Sequence, residues 1–509
     1  MGVERDVTID QLRQAREAFE RRDWALAFER LQSAGALSVA DTMALATAAF
    51  LIGDADEAVR ALQAGYQDRI KNGDALGAVR FAFWLGFVLN TRGEMAVGGG
   101  WVARAERLLE SQPEDIVERG YLLIHEFFQH LFRGDFARAE EIAARVVQTG
   151  RRFQDADLVA QGLNCQGRIM IYSGRVREGL ALLDEAMVGI SAGEVSPIIA
   201  GSVYCSMIEA CQELSDFSRA ASWTMALTRW CDAQPSLIPF TGQCSLHRGQ
   251  IMRLRGAYDE ALAEFALAQR RYQAEGTIAP AGRALAEQGD VLRIRGKLDE
   301  AEAAYRQAAE LGHEPQPGLL LAWLARGRTA AAIPAVRRLL AEAQGPVQRS
   351  WLLPAAVQAM AAAQLSEEAR QYSDELSGIA SAFGSSALRA AAGTRAQRSN
   401  WRQERWKGPS ARLGTRVDSG ATSDRRTRPR GLGFWSRVRY ASSVMRIRQQ
   451  QNLRSRAVPW LRWVLRRPRR ISTGFWDEHG PVVSPNVKSR CSGWLPKGEA
   501  IRRLRERWY

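Results

Sequence analysis

The amino-acid sequence predicts an all-α protein. Residues 1–392 are expected to form a helical-repeat solenoid of helix pairs about 40 residues long. Residues 393–509 are expected to form a largely disordered basic tail. Three observations predict this organisation: a glycine that recurs at nearly constant spacing, small and bulky residues at fixed distances from it, and an abrupt change of composition near residue 393.

The recurring glycine marks one turn in each repeat. Successive turn positions are 40, 41, 40, 41, 41 and 40 residues apart, and the last separation is 31 residues. Serine replaces glycine at one of these positions. Glycine adopts the left-handed conformation cheaply, so a glycine just past a helix end is a common terminator. The positions are Gly53, Gly93, Gly134, Gly174, Ser215, Gly256, Gly296 and Gly327.

Small and bulky residues alternate around these turns. Small residues stand seven positions before the glycine (Gly167, Gly249, Gly289), five positions after it (Gly179, Ala261, Ala301) and twelve positions after it (Ala186, Ala268, Ala308). Bulky ones stand four before and nine after: Met170, Met252, Leu292; Leu183, Phe265, Tyr305. Small residues let paired helices approach, and bulky ones fill the gap between pairs.

This alternation resembles the tetratricopeptide (TPR) consensus, stretched from 34 to about 40 residues. Armadillo and HEAT arrays have a similar period, but the Gly–aromatic–acidic–Ala text of the turns favours the TPR kind. We expect nine or so helix pairs that curve into a superhelix with a concave binding face.

Sequence motifs give no support to an enzyme. The phosphate-binding G-x-x-x-x-G-K-[ST], the dinucleotide-binding G-x-G-x-x-G after a strand and the G-x-S-x-G elbow are all missing from the sequence. We interpret the triple glycine at 98–100 as a loop. His130 follows His125 by five residues, whereas the zinc motif H-E-x-x-H needs four, so no metal site or cofactor is predicted.

The segment 194–248 is richest in unusual side chains, and we select seven of them as candidates for a ligand groove. Pockets favour aromatic walls with a few polar groups. The alternative is that these residues serve as ordinary fillers of the solenoid interior. The candidates are Tyr204, Glu209, Trp223, Arg229, Trp230, Gln243 and His247.

Cysteine usage and hydropathy indicate a soluble cytoplasmic protein. The six cysteines form no C-x-x-C pair, which favours reduced thiols. The opening residues lack an apolar signal region. No apolar run approaches the roughly 20 residues that a membrane span requires, so we expect no membrane partner.

The tail differs sharply from the repeats. It holds 29 Lys and Arg against 7 Asp and Glu, and 26 of the 29 are Arg. It also holds eight of the fifteen tryptophans. An Arg-rich tail can attract nucleic acid, but isolated tryptophans are unusual in such tails. The alternative interpretation is a frameshift, that is, GC-rich coding sequence read in the wrong frame.

The genetic code allows this frameshift hypothesis to be examined. Prefixing the first two bases of each codon in 484–509 with the last base of the preceding codon permits the string L-[ST]-x-R-E-[VI]-E-V-L-R-L-V-A-x-G-x-S-N-x-E-I-A-R-E-L-V. This string resembles the first helices of the LuxR-type helix-turn-helix. The same frame turns 419–431 into L-W-R-N-F-G-x-P-Y-E-A-A-R, which is similar to a further TPR helix.

The chain therefore resembles a LuxR-family transcriptional regulator with a TPR-like sensory region. Residues 1–392, which are in frame, cover most of that sensory region. They include the segments DEAMVGISAGEVSPIIAGSVYCSMIEACQ and RLRGAYDEAL. The resemblance implies that the repeats receive a protein or small-molecule signal, and that a C-terminal recognition helix enters the DNA major groove. The tail departs from this pattern, because its DNA-binding part is scrambled and ends before the recognition helix. The prediction is a sensory region whose DNA-binding output is lost.

Two further expectations follow. The competing hypothesis is a TPR protein-interaction scaffold whose basic tail binds nucleic acid or acidic surfaces nonspecifically. A frameshift also removes the closing repeat, which predicts an uncapped apolar face after Phe383 and Leu388.

Overall fold

The computed structural model describes residues 2–35, 37–343 and 345–392. Within these residues all regular structure is helical, and twenty helices form ten antiparallel pairs. This confirms the predicted all-α, TPR-like array, with one pair more than expected. The tail, 393–509, lies outside the described residues, and so do the predictions made for it.

The pairs follow one another along the chain. They are α1 (Gly2–Glu20) and α2 (Trp24–Ser33); α3 (Val39–Leu51) and α4 (Ala55–Lys71); α5 (Ala75–Thr91) and α6 (Met95–Leu109); α7 (Val117–Arg133) and α8 (Phe136–Phe153); α9 (Ala156–Tyr172) and α10 (Val176–Ala192); α11 (Pro197–Glu213) and α12 (Phe217–Asp232); α13 (Thr241–Arg255) and α14 (Tyr258–Ala274); α15 (Ile278–Ile294) and α16 (Leu298–Glu310); α17 (Gly318–Ala325) and α18 (Thr329–Glu342); α19 (Pro346–Ala362) and α20 (Ser366–Phe383). A further helical segment begins at residue 386.

A residue with positive φ ends the first helix of every pair, as the glycine period predicts. The glycines have φ between +75° at Gly327 and +89° at Gly174. Ser215, the predicted substitute, has φ +57°. The first and last pairs use Arg22 and Gln364, both at φ +62°, which the glycine pattern could not identify.

The predicted contact between small and bulky residues is present inside the pairs. A Cβ atom added to Gly249 would lie 2.6 Å from Cε1 of Phe265, and one on Gly289 would lie 2.6 Å from Cε1 of Tyr305. Glycine is therefore required where the aromatic ring of the second helix packs against the first helix. This explains why the two kinds of residue recur at a fixed separation.

The triple glycine at 98–100 is not a loop, so this expectation was wrong. It lies inside α6, because tertiary packing outweighs the low helix propensity of glycine. A Cβ on Gly98 would lie 2.3 Å from Oδ1 of Asn90 and 3.0 Å from the carbonyl oxygen of Gly86. The close approach of α5 and α6 thus requires Gly98, whereas Gly99 and Gly100 face open space.

The first helices of successive pairs line the inner side of the array. Each first helix from α5 to α17 contacts the next first helix, and the series ends with α19. The array also curves far enough to meet itself, since α19 contacts α9 and α11, and α20 contacts α10. The inner faces of α9 and α11 are therefore enclosed by a helix from the other end of the array.

The loop 233–240 makes a second contact between distant repeats. The indole Nε1 of Trp24 donates to Oε1 of Gln234 at 3.0 Å, and both side chains are buried. The backbone nitrogen of Ile238 donates to the carbonyl oxygen of Leu51 at 2.9 Å. The first two pairs are thus attached to the sixth and seventh.

The expected uncapped apolar face after α20 is wrong for the described residues. Phe383 is 9% exposed and Leu388 is 2% exposed. The physical reason is the curvature of the array, because α20 packs against α10 and the hydroxyl of Ser385 lies 3.5 Å from the carbonyl oxygen of Ser215. Within the described residues, no helix combines the length and apolar character needed to cross a membrane.

Candidate functional site

The inner faces of α9, α11, α13 and α15 carry polar side chains at repeated positions, six and three residues before the turn residue. All of them are buried except Asp290, which is partly buried. Charged side chains are rarely buried unless paired, so this recurrence needs an explanation. These side chains, here called the polar row, are Arg168, Glu209, Gln212, Gln250, Arg253, Asp290 and Arg293.

Hydrogen bonds connect the polar row from pair to pair. Nε2 of Gln212 donates to Oε1 of Gln250 at 2.6 Å, and Nε2 of Gln250 donates to Oε1 of Glu287 at 2.7 Å. Nη1 of Arg253 lies 3.1 Å from Oε2 of Glu287 and donates to Oδ2 of Asp290 at 2.8 Å. The result is a continuous polar connection across α11, α13 and α15 in a low-dielectric environment.

Glu209 on α11 is hydrogen-bonded to side chains of two other helices. Its Oε1 accepts from Nη1 of Arg283 on α15 at 2.8 Å and from Nε2 of Gln243 on α13 at 3.2 Å. Burial raises the pKa of Glu209, but the charges of Arg283, His247 and Arg168 outweigh it, and the net pKa is lowered. The carboxyl group is therefore ionised at neutral pH.

Glu213 lies on the same helix in a less favourable environment. Nη2 of Arg168 donates to its Oε1 at 3.0 Å. Burial nevertheless raises the pKa of Glu213 above its ordinary value. The two carboxyl groups of α11 thus differ in the direction of their pKa shift, which is downward for Glu209 and upward for Glu213.

His247 is fully buried between two glutamines. Its Nδ1 lies 3.2 Å from Nε2 of Gln212 and 3.1 Å from Oε1 of Gln250. Burial lowers the pKa of His247 to about 4. The imidazole is therefore neutral at physiological pH, so one ring nitrogen carries a proton and the other does not.

Seven buried polar atoms, six on α9 and α11 and one on His247, have no hydrogen-bond partner among the described residues. Buried polar groups in folded proteins are nearly always paired, and leaving one unpaired costs about 1–3 kcal/mol. Five of the seven are oxygen acceptors, and a bound molecule that donates hydrogen bonds would satisfy these five. The atoms are Oε1 of Gln161, Oδ1 of Asn164, Nη1 of Arg168, Oε2 of Glu209, Oε1 of Gln212, Oε2 of Glu213 and Nε2 of His247.

The structure brings three of the seven predicted site residues together in the polar region. Glu209 and Gln243 are hydrogen-bonded, and His247 interacts electrostatically with Glu209. All three lie on inner helices, and Glu209 and His247 are buried. That these residues line a ligand groove stays a prediction.

The three predicted aromatic residues form a separate cluster with Phe240. The ring of Tyr204 lies 6.4 Å from that of Trp223 and 6.0 Å from that of Trp230, between ring centroids. Trp230 in turn lies 6.1 Å from Phe240. These contacts fit the interpretation of the aromatic residues as fillers between α11 and α12.

Arg229, the seventh candidate, is exposed and lines a groove between α12 and α13. The groove has a volume of about 480 Å³. Its other lining residues are Ala221, Thr224, Met225, Thr228, Arg248, Ile251, Met252 and Arg255. Arg229 is therefore separate from the polar region.

Sequence reasoning missed most of the polar row, although a signal was present. Gln212, Arg253 and Arg293 occupy the same offset from the turn residue in three successive repeats. Polar residues at a fixed position of otherwise apolar helices indicate a shared environment. In the described part of the chain, no group of His, Cys, Asp and Glu side chains has the arrangement of a metal site.

Comparison with known proteins finds similar chains among solved structures. No known protein family and no curated protein matches the chain. Among solved structures, Rap protein complexed with Competence and Sporulation Factor is similar at 14% identity and a TM-score of 0.44, covering 72% of this chain and 98% of that one.

Two other solved structures are similar to a lesser degree. A STAND protein with a tetratricopeptide repeat sensor from Pyrococcus horikoshii is 11% identical, with a TM-score of 0.37, covering 75% of this chain and 55% of its own. Yeast Tom70 is 12% identical, with a TM-score of 0.33, covering 79% and 97%. These neighbours are TPR-like helical-repeat proteins, and the likeness concerns the fold alone.

Proposed function

We propose that residues 1–392 are the sensory region of a LuxR-type transcriptional regulator, which binds a protein or small-molecule signal on its concave face and catalyses no reaction. The observation that supports this proposal is the set of unpaired acceptor atoms beside the polar row. An array that served only as a rigid spacer would have no use for buried polar groups that lower its stability.

The unpaired atoms specify the chemistry of the signal. Oε2 of Glu209 and Oε2 of Glu213 are carboxylate oxygens on one helix, and Oε1 of Gln212 lies between them in sequence. A molecule with several N–H donors, such as an amine, a guanidinium group or a peptide, would satisfy these acceptors. Burial raises the pKa of Glu213, and a cation bound beside Oε2 would favour the ionised carboxylate.

Thermal unfolding of the full chain with arginine amide and with its uncharged analogue citrulline amide tests this proposal. We expect arginine amide at millimolar concentration to raise the melting temperature more than citrulline amide does. The substitution Glu213→Gln should abolish the difference, and the exposed control Glu260→Gln should preserve it. Equal effects of the two amides on all three proteins would contradict a site that accepts hydrogen bonds from a cationic ligand.

The lost DNA-binding output is a separate part of the proposal, because it concerns residues outside the described chain. It follows from the out-of-frame resemblance of 484–509 to a LuxR-type helix-turn-helix. The nucleotide sequence around codons 390–396 tests it. A one-base insertion or deletion that restores the helix-turn-helix supports the proposal, whereas bases with no sensible alternative frame refute it.

A scaffold with a nucleic-acid-binding tail is the second candidate function. The observation that favours it is the charge of 393–509, with 29 basic against 7 acidic residues. Nonspecific binding to DNA should then weaken steeply with salt, because it depends on counterion release. Full-length chain that binds random duplex DNA with a steep salt dependence, and responds to no amide probe, would favour this candidate over the first.

A further inference from the structure

Two cysteines face each other at the ends of the loop 233–240. Cys231 lies in the last turn of α12, and Cys244 lies in the first turn of α13. Both side chains are buried, both line one cavity, and each thiol changes the pKa of the other. The same loop carries the contacts that attach the first two pairs to the sixth and seventh.

The surroundings of Cys244 stabilise a thiolate. Nη1 of Arg248 donates to its Sγ at 3.4 Å, and Oγ1 of Thr228 lies 3.5 Å from the same sulfur. Interaction with Cys231, Thr228 and Arg248 lowers the pKa of Cys244 to about 7, although burial raises it. The same interaction raises the pKa of Cys231, and the contacts of Arg248 and Thr228 with Sγ of Cys244 make that sulfur the nucleophile.

Both cysteines line a polar cavity of about 280 Å³. This volume is ample for a reagent as small as hydrogen peroxide, since a water molecule takes about 30 Å³ of liquid volume. The other lining residues are Asp232, Gln234, Pro235, Leu237, Thr241, Arg248 and Arg271.

The five cysteines of the described chain are all buried, but their surroundings differ. At Cys165, Cys205 and Cys211 burial raises the pKa of the thiol. None of them lines this cavity. Cys205 is nevertheless close enough to Cys231 and Cys244 to interact with them electrostatically, so it is the natural competitor for either sulfur.

We propose that Cys231 and Cys244 form a peroxide-reactive thiol pair that closes to a disulfide across the loop 233–240. The Cys244 thiolate attacks one oxygen of hydrogen peroxide, forms a sulfenic acid and releases hydroxide. The sulfur of Cys231 then attacks the sulfenic sulfur, and the Cys231 proton leaves with the sulfenic hydroxyl as water. Each sulfur loses one electron, and the peroxide accepts both.

Peptide mapping of the full chain tests this proposal. The protein is treated with hydrogen peroxide, unfolded, alkylated with iodoacetamide and digested with trypsin. Both cysteines fall in one tryptic peptide, 230–248, because cleavage follows Arg229 and Arg248. We expect this peptide to become two hydrogens lighter and to lose both alkylation sites, at least about tenfold faster than Cys165 and Cys211 lose theirs. Dithiothreitol should restore both sites.

Matched variants locate the reaction. Cys231→Ser and Cys244→Ser should each prevent formation of the lighter peptide, and Cys205→Ser should leave it unchanged. Two alkyl groups on the 230–248 peptide after peroxide treatment of the native chain would overturn the proposal. A disulfide that joins this peptide to the one containing Cys205 would overturn it as well. The wild-type measurement decides the question even if a variant does not fold.

Discussion

The buried ion pair between Arg283 and Glu209 allows the polar row to be tested by stability alone. The substitution Arg283→Met preserves most of the side-chain volume and removes the guanidinium group. The Glu209 carboxylate, 2% exposed, would then keep Nε2 of Gln243 as its remaining hydrogen-bond donor in the described chain. Its pKa should rise, because the largest charge that lowers it is gone.

The expected loss of stability follows from burial on both sides of this pair. The side chains of Arg283 and Glu209 are 6% and 2% exposed, and removing one partner of such a pair costs about 3–5 kcal/mol. The exposed pair of Arg295 with Asp259, with exposures of 34% and 81%, is the matched control. Arg295→Met should cost less than about 1 kcal/mol.

Urea unfolding at neutral pH, followed by circular dichroism at 222 nm, measures the difference. The double variant Arg283→Met/Glu209→Met should recover most of the loss, because it leaves no unpaired charge inside the array. If Arg283→Met were no less stable than Arg295→Met, the polar row would not be the buried, coupled network described above.

Two further predictions concern neighbouring residues. The contribution of His247 to stability should be constant above about pH 6.5 and fall as the pH approaches about 4, because the unfolded chain binds a proton that buried His247 does not. This contribution is at most about 3 kcal/mol, and the difference between wild type and His247→Gln in a pH series of urea titrations measures it. Gly249→Val should destabilise by about 1–3 kcal/mol, because its side chain would overlap an aromatic ring of α14. Gly99→Ala, in open space inside α6, should instead stabilise by about 0.5–1 kcal/mol, and unchanged melting of the Gly249 variant would contradict the packing argument.

The repeat could be predicted from sequence because its determinants are local. A turn residue and the small and bulky residues around it lie within one helix pair, so their spacing is written directly in the chain. The contact of Gly249 with Phe265 is an example, since both belong to the seventh pair. The glycine pattern did not predict the turns at Arg22 and Gln364, because non-glycine residues adopt positive φ there at the cost of backbone strain.

The candidate site was predicted less completely because its contacts cross between pairs. Arg283 and Glu209 are 74 positions apart, and their meeting depends on how far successive pairs rotate around the superhelix. Spacing in the sequence does not encode that rotation. The aromatic candidates failed to join the polar group for the same reason: Tyr204 and Glu209 share α11, but they face different neighbours.

The contacts of Trp24 and of α19 change how this array should fold. In an open solenoid each repeat touches only its neighbours, so order can spread from any point and end repeats can be removed singly. Here the hydrogen-bond acceptor of the Trp24 indole lies 210 residues later in the chain. The contact between α9 and α19 can form only after the tenth pair has been synthesised. Such separations raise contact order and slow folding. The newly synthesised chain must therefore wait for its last pairs before its first pairs reach their final stability.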